Sequence, residues 1–207
     1  MNAEIIGIGS ELLLGQIANT DAQYLSRQLS FLGIDVYWHT VVGDNRDRIL
    51  ETLHIASERS DIIITTGGLG PTMDDLSKET VAEFLGMVLA MHQPSLERIR
   101  NYFHSTGRTM TENNAKQAMF PEDAIILQND NGTAPGAIME KDGKSYIVLP
   151  GPPFELQPMF DHYVVPFLKR KSNQGIYSRV VRIFGIGESA VEEMVKDLLL
   201  NQQNPTL

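Results

Sequence analysis

Residues Ile62 to Lys78 read IIITTGGLGPTMDDLSK, and the succession of residue types in this stretch decides the fold. The β-branched run Ile62, Ile63, Ile64 has the length and stiffness of a strand buried on both faces. It leads directly into Thr65-Thr66-Gly67-Gly68-Leu69-Gly70-Pro71-Thr72, and a helix-like segment opened by Asp74, Asp75 and Ser77 follows. A strand, a glycine turn and a helix start together aim backbone N–H groups at an anion. Glycine lets the chain approach a phosphate, and the positive end of the helix dipole favours negative charge there. Two adjacent carboxylates beside such a turn would repel a phosphate unless a cation stands between them. The segment therefore points to a phosphorylated ligand handled with a divalent metal ion.

Working outward, Glu4 to Gly9 reads as a first buried strand, and Thr20 to Leu32 as a helix with apolar residues at helical spacing and Gly33 as its stop. The stretch between them, Leu12 to Ile17, is apolar and fits no one element. Asp35 to Val42 alternates as a second strand, with Val36, Trp38, Thr40 and Val42 on one face. Arg48 to Arg59 is a helix, and Ser77 to Leu85 another, stopped at Gly86. This β-α-β-α-β-α order predicts a parallel sheet covered by helices on both faces. Further helices are expected at Pro94 to Thr106, Glu112 to Ala118 and Phe154 to Leu168. A strand is expected at Ile125 to Leu127, and a hairpin from Ala137 to Met139 and Ser145 to Leu149 around Lys141-Asp142-Gly143. The basic run from Lys169 to Gly175 reads as a linker. Beyond it, Tyr177 to Phe184 alternates as a strand, and Ser189 with Glu192 opens a helix through Leu200. The expected organisation is a catalytic domain over residues 1–170 and, over 171–207, a linker with a partial βα appendage that begins a second, smaller domain. A lone βα pair leaves the stripe Val191, Met194, Val195, Leu198 uncovered, so a homodimer is expected.

The 207 residues carry a net charge of −9, which disfavours nucleic acid as a partner. There is no cysteine, which excludes thiolate metal sites and cysteine nucleophiles and favours a reducing, cytoplasmic setting. The N-terminus lacks the features of a signal peptide, and no stretch approaches a membrane span. The five histidines show no metal-binding spacing, and GxxxxGK[ST], GxGxxG and GxSxG are all absent. What remains is carboxylate chemistry, whose oxygen ligands suit Mg²⁺ or Mn²⁺. Asp44 and Asp47 lie in the loop after the second strand, and Gly9-Ser10-Glu11 follows the first. In a parallel sheet both loops open on the same edge as the glycine turn, where ligands bind. Glu11 reads equally as a metal ligand or as a helix-start acid. Pro150-Gly151-Pro152-Pro153 is stiff enough to form a wall, and it also reads as a helix start.

The segments GSELLLGQIANTDAQYL, TTGGLGPTMDD, NGTAPG, LPGPP and GIGES occur in this order and resemble the CinA family (competence/damage-inducible protein A). The first 168 residues also resemble the molybdopterin-binding fold of molybdenum-cofactor enzymes. The resemblance implies a three-layer α/β/α sandwich with a mostly parallel sheet. It also implies hydrolysis of ADP-ribose, or a related nucleoside diphosphate, with a divalent Mg, Mn or Co ion. By the same resemblance Asp75 and Asp44 are catalytic. Relatives often carry Arg where Asp74 stands, which favours a metal-using hydrolase over a pterin adenylyltransferase. Asp21 stands where many members have Asn. On this reading Asp44, Asp74 and Asp75 hold the metal. Gly67, Gly68, Gly70 and Thr72 cradle the pyrophosphate, and Lys78 neutralises phosphate charge. Ser10, Gly151, Pro152 and Pro153 frame the nucleotide. The alternatives are pterin binding or adenylyl transfer, and a nucleotide sensor without turnover. An amidase domain of the kind that follows in longer members is expected to be absent from this sequence.

Overall fold

A computed structural model describes residues 1–171 and 182–201. They run β1 Asn2–Ile8, α1 Ser10–Leu13, α2 Thr20–Phe31, β2 Asp35–Val42, α3 Arg46–Arg59, β3 Ile62–Thr66, α4 Ser77–Phe84, β4 Leu89–Met91, α5 Gln93–Ser105 and α6 Glu112–Ala115. A 3-10 turn over Lys116–Ala118 leads to β5 Met119–Pro121, β6 Ile125–Leu127, β7 Gly136–Lys141, β8 Lys144–Leu149 and α7 Pro153–Met159. A π-helical turn over Phe160–Val164 joins α7 to α8 Val165–Lys171, and α9 Glu188–Asn201 comes last. The chain forms two compact units, Met1–Ile176 and Tyr177–Leu207.

The main sheet has the order β2-β1-β3-β8-β7-β6. Its first four strands are parallel, and β7 and β6 run antiparallel. β3 is buried at every residue, its three isoleucines and the two threonines that follow alike, as expected of a central strand. β2 lies at the edge and alternates, with Val36, Trp38 and Thr40 turned inward and their neighbours exposed. The β7–β8 hairpin closes through Asp142 (φ 52°) and Gly143 (φ 77°), the pair of left-handed residues that matches strand twist.

Successive strand residues feed opposite cores. Ile5, Ile64, Ile147 and Leu149 pack with Leu25 and Leu29 of α2 and with Leu156 and Met159 of α7. Ile6, Ile8, Ile63 and Val148 pack with Ile49 and Leu53 of α3 and with Val81 of α4. These two cores make a three-layer α/β/α sandwich. The connection from β1 to β2 therefore crosses one face of the sheet, and the return from β2 to β3 crosses the other. The direction of winding reverses between β1 and β3, which is where an open α/β sheet forms its ligand crevice.

Several features depart from the sequence reading; among them, the helix expected over Glu112 to Ala118 ends at Ala115 and continues as the 3-10 turn. β4 and β5 pair as a separate two-stranded sheet; at three residues each they are too short to show a period. The helix expected from Phe154 to Leu168 starts one residue earlier, runs on to Lys171 and widens into the π turn just before Pro166, a residue with no N–H to give. In the second unit, α9 forms over the expected residues and buries none of its side chains. Most of the expected strand, Tyr177–Val181, lies outside the described residues, and Arg182–Phe184 are not in a strand. Among the described residues no helix is long and apolar enough to cross a membrane.

Candidate functional site

The carboxyl ends of β1, β3 and β8 open into a cleft of about 670 Å³, within the size range of small-molecule sites. Its floor is the turn after β3. Gly67 and Gly68 hold left-handed φ of 94° and 66°. A Cβ on Gly67 would stand 2.2 Å from the Ile8 carbonyl oxygen, and one on Gly68 the same distance from Ser77 Oγ. These glycines thus let the turn close on the protein itself, whereas the sequence reading assigned their bareness to an approaching phosphate. The turn is stapled by Gly67 N–H donating to the Leu149 carbonyl (3.1 Å), Ser77 N–H to the Gly68 carbonyl (3.1 Å) and Ser77 Oγ to the Gly67 carbonyl (2.7 Å). The next N–H groups, of Gly68, Leu69 and Gly70, donate to no acceptor among the described residues. Successive free N–H groups in such a turn form a concavity suited to an anion. Gly151 stands against the turn: a Cβ there would lie 3.4 Å from Gly67 Cα. Pro152 and Pro153 continue this wall into α7, and all three residues line the cleft.

Six carboxylates line the same cleft: Glu11, Asp21, Asp44, Asp74, Asp75 and Glu155, with no Lys, Arg or His among the lining residues. Asp75 does not cap α4, which starts at Ser77 without a side-chain cap. Its Oδ2 instead accepts from Thr72 N–H (2.8 Å) and Thr72 Oγ1 (2.5 Å). Asp44 is held in the same way, its Oδ2 accepting from Ser10 N–H (2.9 Å) and Ser10 Oγ (3.0 Å). In both carboxylates Oδ1 has no partner among the described residues. Asp74 is exposed at the rim. Asp47 pairs with Arg46 in solvent and does not line the cleft.

Three expectations need correction. Ser10 and Thr72 are not among the lining residues; their donors hold Asp44 and Asp75. Lys78 does not reach the cleft. It is buried, donates to the carbonyls of Lys116 and Gln117 (3.1 Å each) and lies over the Phe120 ring. Burial lowers its pKa to about 8. The expected role in neutralising phosphate fails because the segment carrying Lys116 and Gln117 folds over this side chain. Finally, Asp44, Asp74 and Asp75 do not converge: among the described residues no three acidic or histidine side chains gather into a preformed metal site.

The sequence reading missed or undervalued three lining residues. Asp21, at the first turn of α2, is 9% exposed, its Oδ1 is unpartnered, and burial raises its pKa to about 6. Gln117 is 2% exposed; its Nε2 donates to the Leu69 carbonyl (3.2 Å), and its Oε1 is unpartnered. Glu155 accepts from Asn129 Nδ2 (2.5 Å), which ties the NGTAPG loop to α7. Only Glu155 had a local signal, an acid in the first turn after the proline wall. Lys116 completes the frame by donating to the carbonyls of Thr72 (3.0 Å) and Asp75.

Comparison with known proteins places this geometry. Residues 4–170 match the family described as "Probable molybdopterin binding domain", and residues 178–207 match the damage-inducible protein CinA KH domain. The chain is 61% identical over its whole length to a competence-damage inducible protein of Thermoanaerobacter pseudethanolicus, and 53% identical to one of Clostridioides difficile. It spans about half the length of these curated relatives, 50% in each case. Among solved structures, the CinA protein of Thermoplasma acidophilum superposes with a TM-score of 0.71 at 35% identity, covering 77% of this chain and 94% of that one. A molybdopterin biosynthesis protein from Mycobacterium abscessus shares the fold at 15% identity, with a TM-score of 0.55 over 82% of this chain and 92% of that one. With a molybdopterin-binding-type domain followed by the CinA KH segment, and with close similarity to CinA proteins along its whole length, this chain belongs to the CinA family.

Proposed function

We propose that the cleft hydrolyses the pyrophosphate bond of ADP-ribose, or of a related nucleoside diphosphate, with a divalent metal ion bound alongside the substrate. One observation carries this reading: three successive unclaimed N–H groups stand in a cleft whose charged side chains are all carboxylates. The N–H groups attract a phosphate, and the carboxylates repel it unless cations accompany it. An oxygen-only donor set suits Mg²⁺, Mn²⁺ or Co²⁺. An ion of the Mg²⁺ type is commonly held by one or two carboxylates together with substrate phosphates, which agrees with the lack of a preformed three-carboxylate site among the described residues.

The free Oδ1 atoms of Asp44 and Asp75 would hold the ion, with Asp74 available at the rim. When bound, such an ion neutralises phosphate charge and acidifies a water. The N–H groups of Gly68, Leu69 and Gly70 hold and orient the diphosphate. Through that ion Asp75 would fix where the attacking water stands relative to phosphorus. Ser10 and Thr72 fix the two carboxylates so that neither reorganises during the reaction. Water adds to one phosphorus, the bridging oxygen leaves with the other phosphate, and AMP and ribose 5-phosphate result.

The test is incubation with ADP-ribose and Mg²⁺, Mn²⁺ or Co²⁺, with chromatography of the products. AMP release that stops with EDTA is expected. Saturable binding without AMP under any of the three ions would favour a nucleotide sensor. The molybdopterin-binding family match supports a second reading, pterin adenylylation. Formation of an adenylated pterin from ATP and molybdopterin would favour it.

A further inference from the structure

The loop 70–76 brings Asp74 and Asp75 to the cleft, yet little fastens it to the rest of the fold. None of its residues belongs to a hydrophobic core. Thr72, Met73 and Asp74 are exposed, Met73 by 86%. α4 starts only at Ser77 and has no side-chain cap. Inside the loop, Asp75 Oδ2 accepts from Thr72 N–H and Oγ1, and Asp75 N–H donates to the Thr72 carbonyl (3.3 Å). Gly70 lies against the same carboxylate, and a Cβ there would collide with it. The loop is thus one unit closed on the Asp75 carboxylate, and its place depends on what holds it from outside.

Among the described residues, the hydrogen bonds that reach residues 70–75 from outside the loop all come from one side chain. Lys116 Nζ donates to the carbonyl of Thr72 (3.0 Å) and to that of Asp75 itself. An ammonium donor makes a charge-assisted bond, roughly twice as strong as a neutral one. Lys116 is itself held in place. Its carbonyl and that of Gln117 accept from the buried Lys78 of α4 (3.1 Å each). Gln117 then grips the Leu69 carbonyl just before the loop (3.2 Å). Lys78, which does not reach the cleft, therefore anchors the segment that anchors the loop.

We propose that Lys116 is the positioning residue for Asp75: it locks the loop 70–76 in place so that the Asp75 carboxylate faces the cleft, without itself touching substrate. Lys116 is not among the residues that line the cleft. The backbone of Gly67, Gly68 and Leu69 is fixed separately, by Ser77 and Gln117. Loss of Lys116 should therefore release Asp75 and leave the phosphate cradle standing. The inference rests on the hydrolysis proposed above and adds the residue on which the placement of Asp75 depends.

The experiment compares the whole chain as wild type, Lys116→Met and Lys116→Arg, and adds Asp75→Asn alone and combined with Lys116→Met. Lys116→Gln replaces the methionine variant should that one not fold. With ADP-ribose and saturating Mg²⁺, Lys116→Met should lower kcat roughly tenfold or more, the scale of a lost hydrogen bond to a charged group. KM should change by less than about twofold, because the cradle stays. Lys116→Arg, which keeps a charged donor, should restore most of the rate. In the Asp75→Asn background, Lys116→Met should cost less than about twofold more, since a residue acting through Asp75 has nothing left to place. A second readout needs no turnover: the NMR order parameters of the Thr72 and Asp75 amides should fall from about 0.85 to below about 0.6 in Lys116→Met. A loss confined to KM, an equal loss with and without Asp75, or unchanged order parameters and shifts over Thr72 to Asp75 would overturn the proposal. If the wild-type chain releases no AMP, the hydrolysis reading falls, and the order parameters alone decide whether Lys116 locks the loop.

Discussion

Ser10 and Asp44 are 34 residues apart and joined through a single carboxylate oxygen, which accepts from the Ser10 N–H at 2.9 Å and from its Oγ at 3.0 Å. The pair fastens the end of β1 to the end of β2 and leaves the other Asp44 oxygen free. A residue held this way is positioned by its neighbour, so loss of the hydroxyl should act through Asp44. Ser10→Ala is expected to lower kcat for ADP-ribose roughly three- to tenfold with little change in KM, since one of the two donors remains. Ser10→Thr, which keeps a hydroxyl, should restore most of the rate. A change confined to KM would place Ser10 in contact with substrate instead.

Asp75 is the residue on which the proposed chemistry depends most. Asp75→Asn keeps an oxygen able to accept from Thr72 and so should leave the turn folded, but it removes the charge that would hold an ion and order water. Turnover should fall by roughly two orders of magnitude or more. Circular dichroism should be unchanged. Hydrolysis near the wild-type rate would remove Asp75 from the mechanism.

The glycine turn offers a comparison within the chain. Gly67 and Gly107 both have left-handed φ, 94° and 66°, but a Cβ on Gly107 meets nothing within 4 Å, whereas one on Gly67 meets the Ile8 carbonyl oxygen at 2.2 Å. Gly107→Ala should therefore cost only the conformational strain, about 1 kcal/mol. Gly67→Ala should cost about 3 kcal/mol or more, because backbone must move. Urea denaturation measures both. Similar losses would mean that the close approach to Ile8 is not what demands glycine.

Asp21 should give the protein a pH-dependent liability. Burial raises its pKa from 3.8 to about 6. The folded state thus holds the Asp21 proton more tightly than the unfolded chain does. The cost of ionising the buried group is fully present above pH 6 and is lost as pH falls toward 4. Asp21→Asn should be more stable than wild type at pH 7 to 8 by about 1 kcal/mol, allowing for water that reaches the cleft. The difference should vanish near pH 4. A constant difference at all pH values would mean that the asparagine acts through packing.

The parts of the fold that were legible in the sequence are those whose pattern is set by local burial. The unbroken isoleucines of β3 require a central strand, the alternation in β2 requires an edge, and Asp142-Gly143 requires a tight hairpin. The glycine turn and the carboxylates at the strand ends followed from the same logic, because a parallel sheet places those loops on one edge. What could not be read depends on long-range packing. Lys78 reads as a phosphate-facing lysine beside the glycine turn until the Lys116–Ala118 turn folds over it. Asp21 looks like an ordinary acid at a helix start, and its burial at the edge of the cleft comes from packing that its own segment does not announce. Gln117 falls near the end of a segment read as a short helix, and its role depends on a carbonyl 48 residues away.

The cleft is proposed to take a diphosphate together with a divalent ion. The decisive experiment is an electron-density map from crystals of the unaltered chain soaked with Mg²⁺ and a non-hydrolysable methylene analogue of ADP-ribose, which cannot be turned over. Diphosphate density over the N–H groups of Gly68 to Gly70 is expected, with an ion near Asp44 and Asp75. Nucleotide density outside this cleft, for example in the 340 Å³ cavity beside Arg98 and Tyr102, would contradict it.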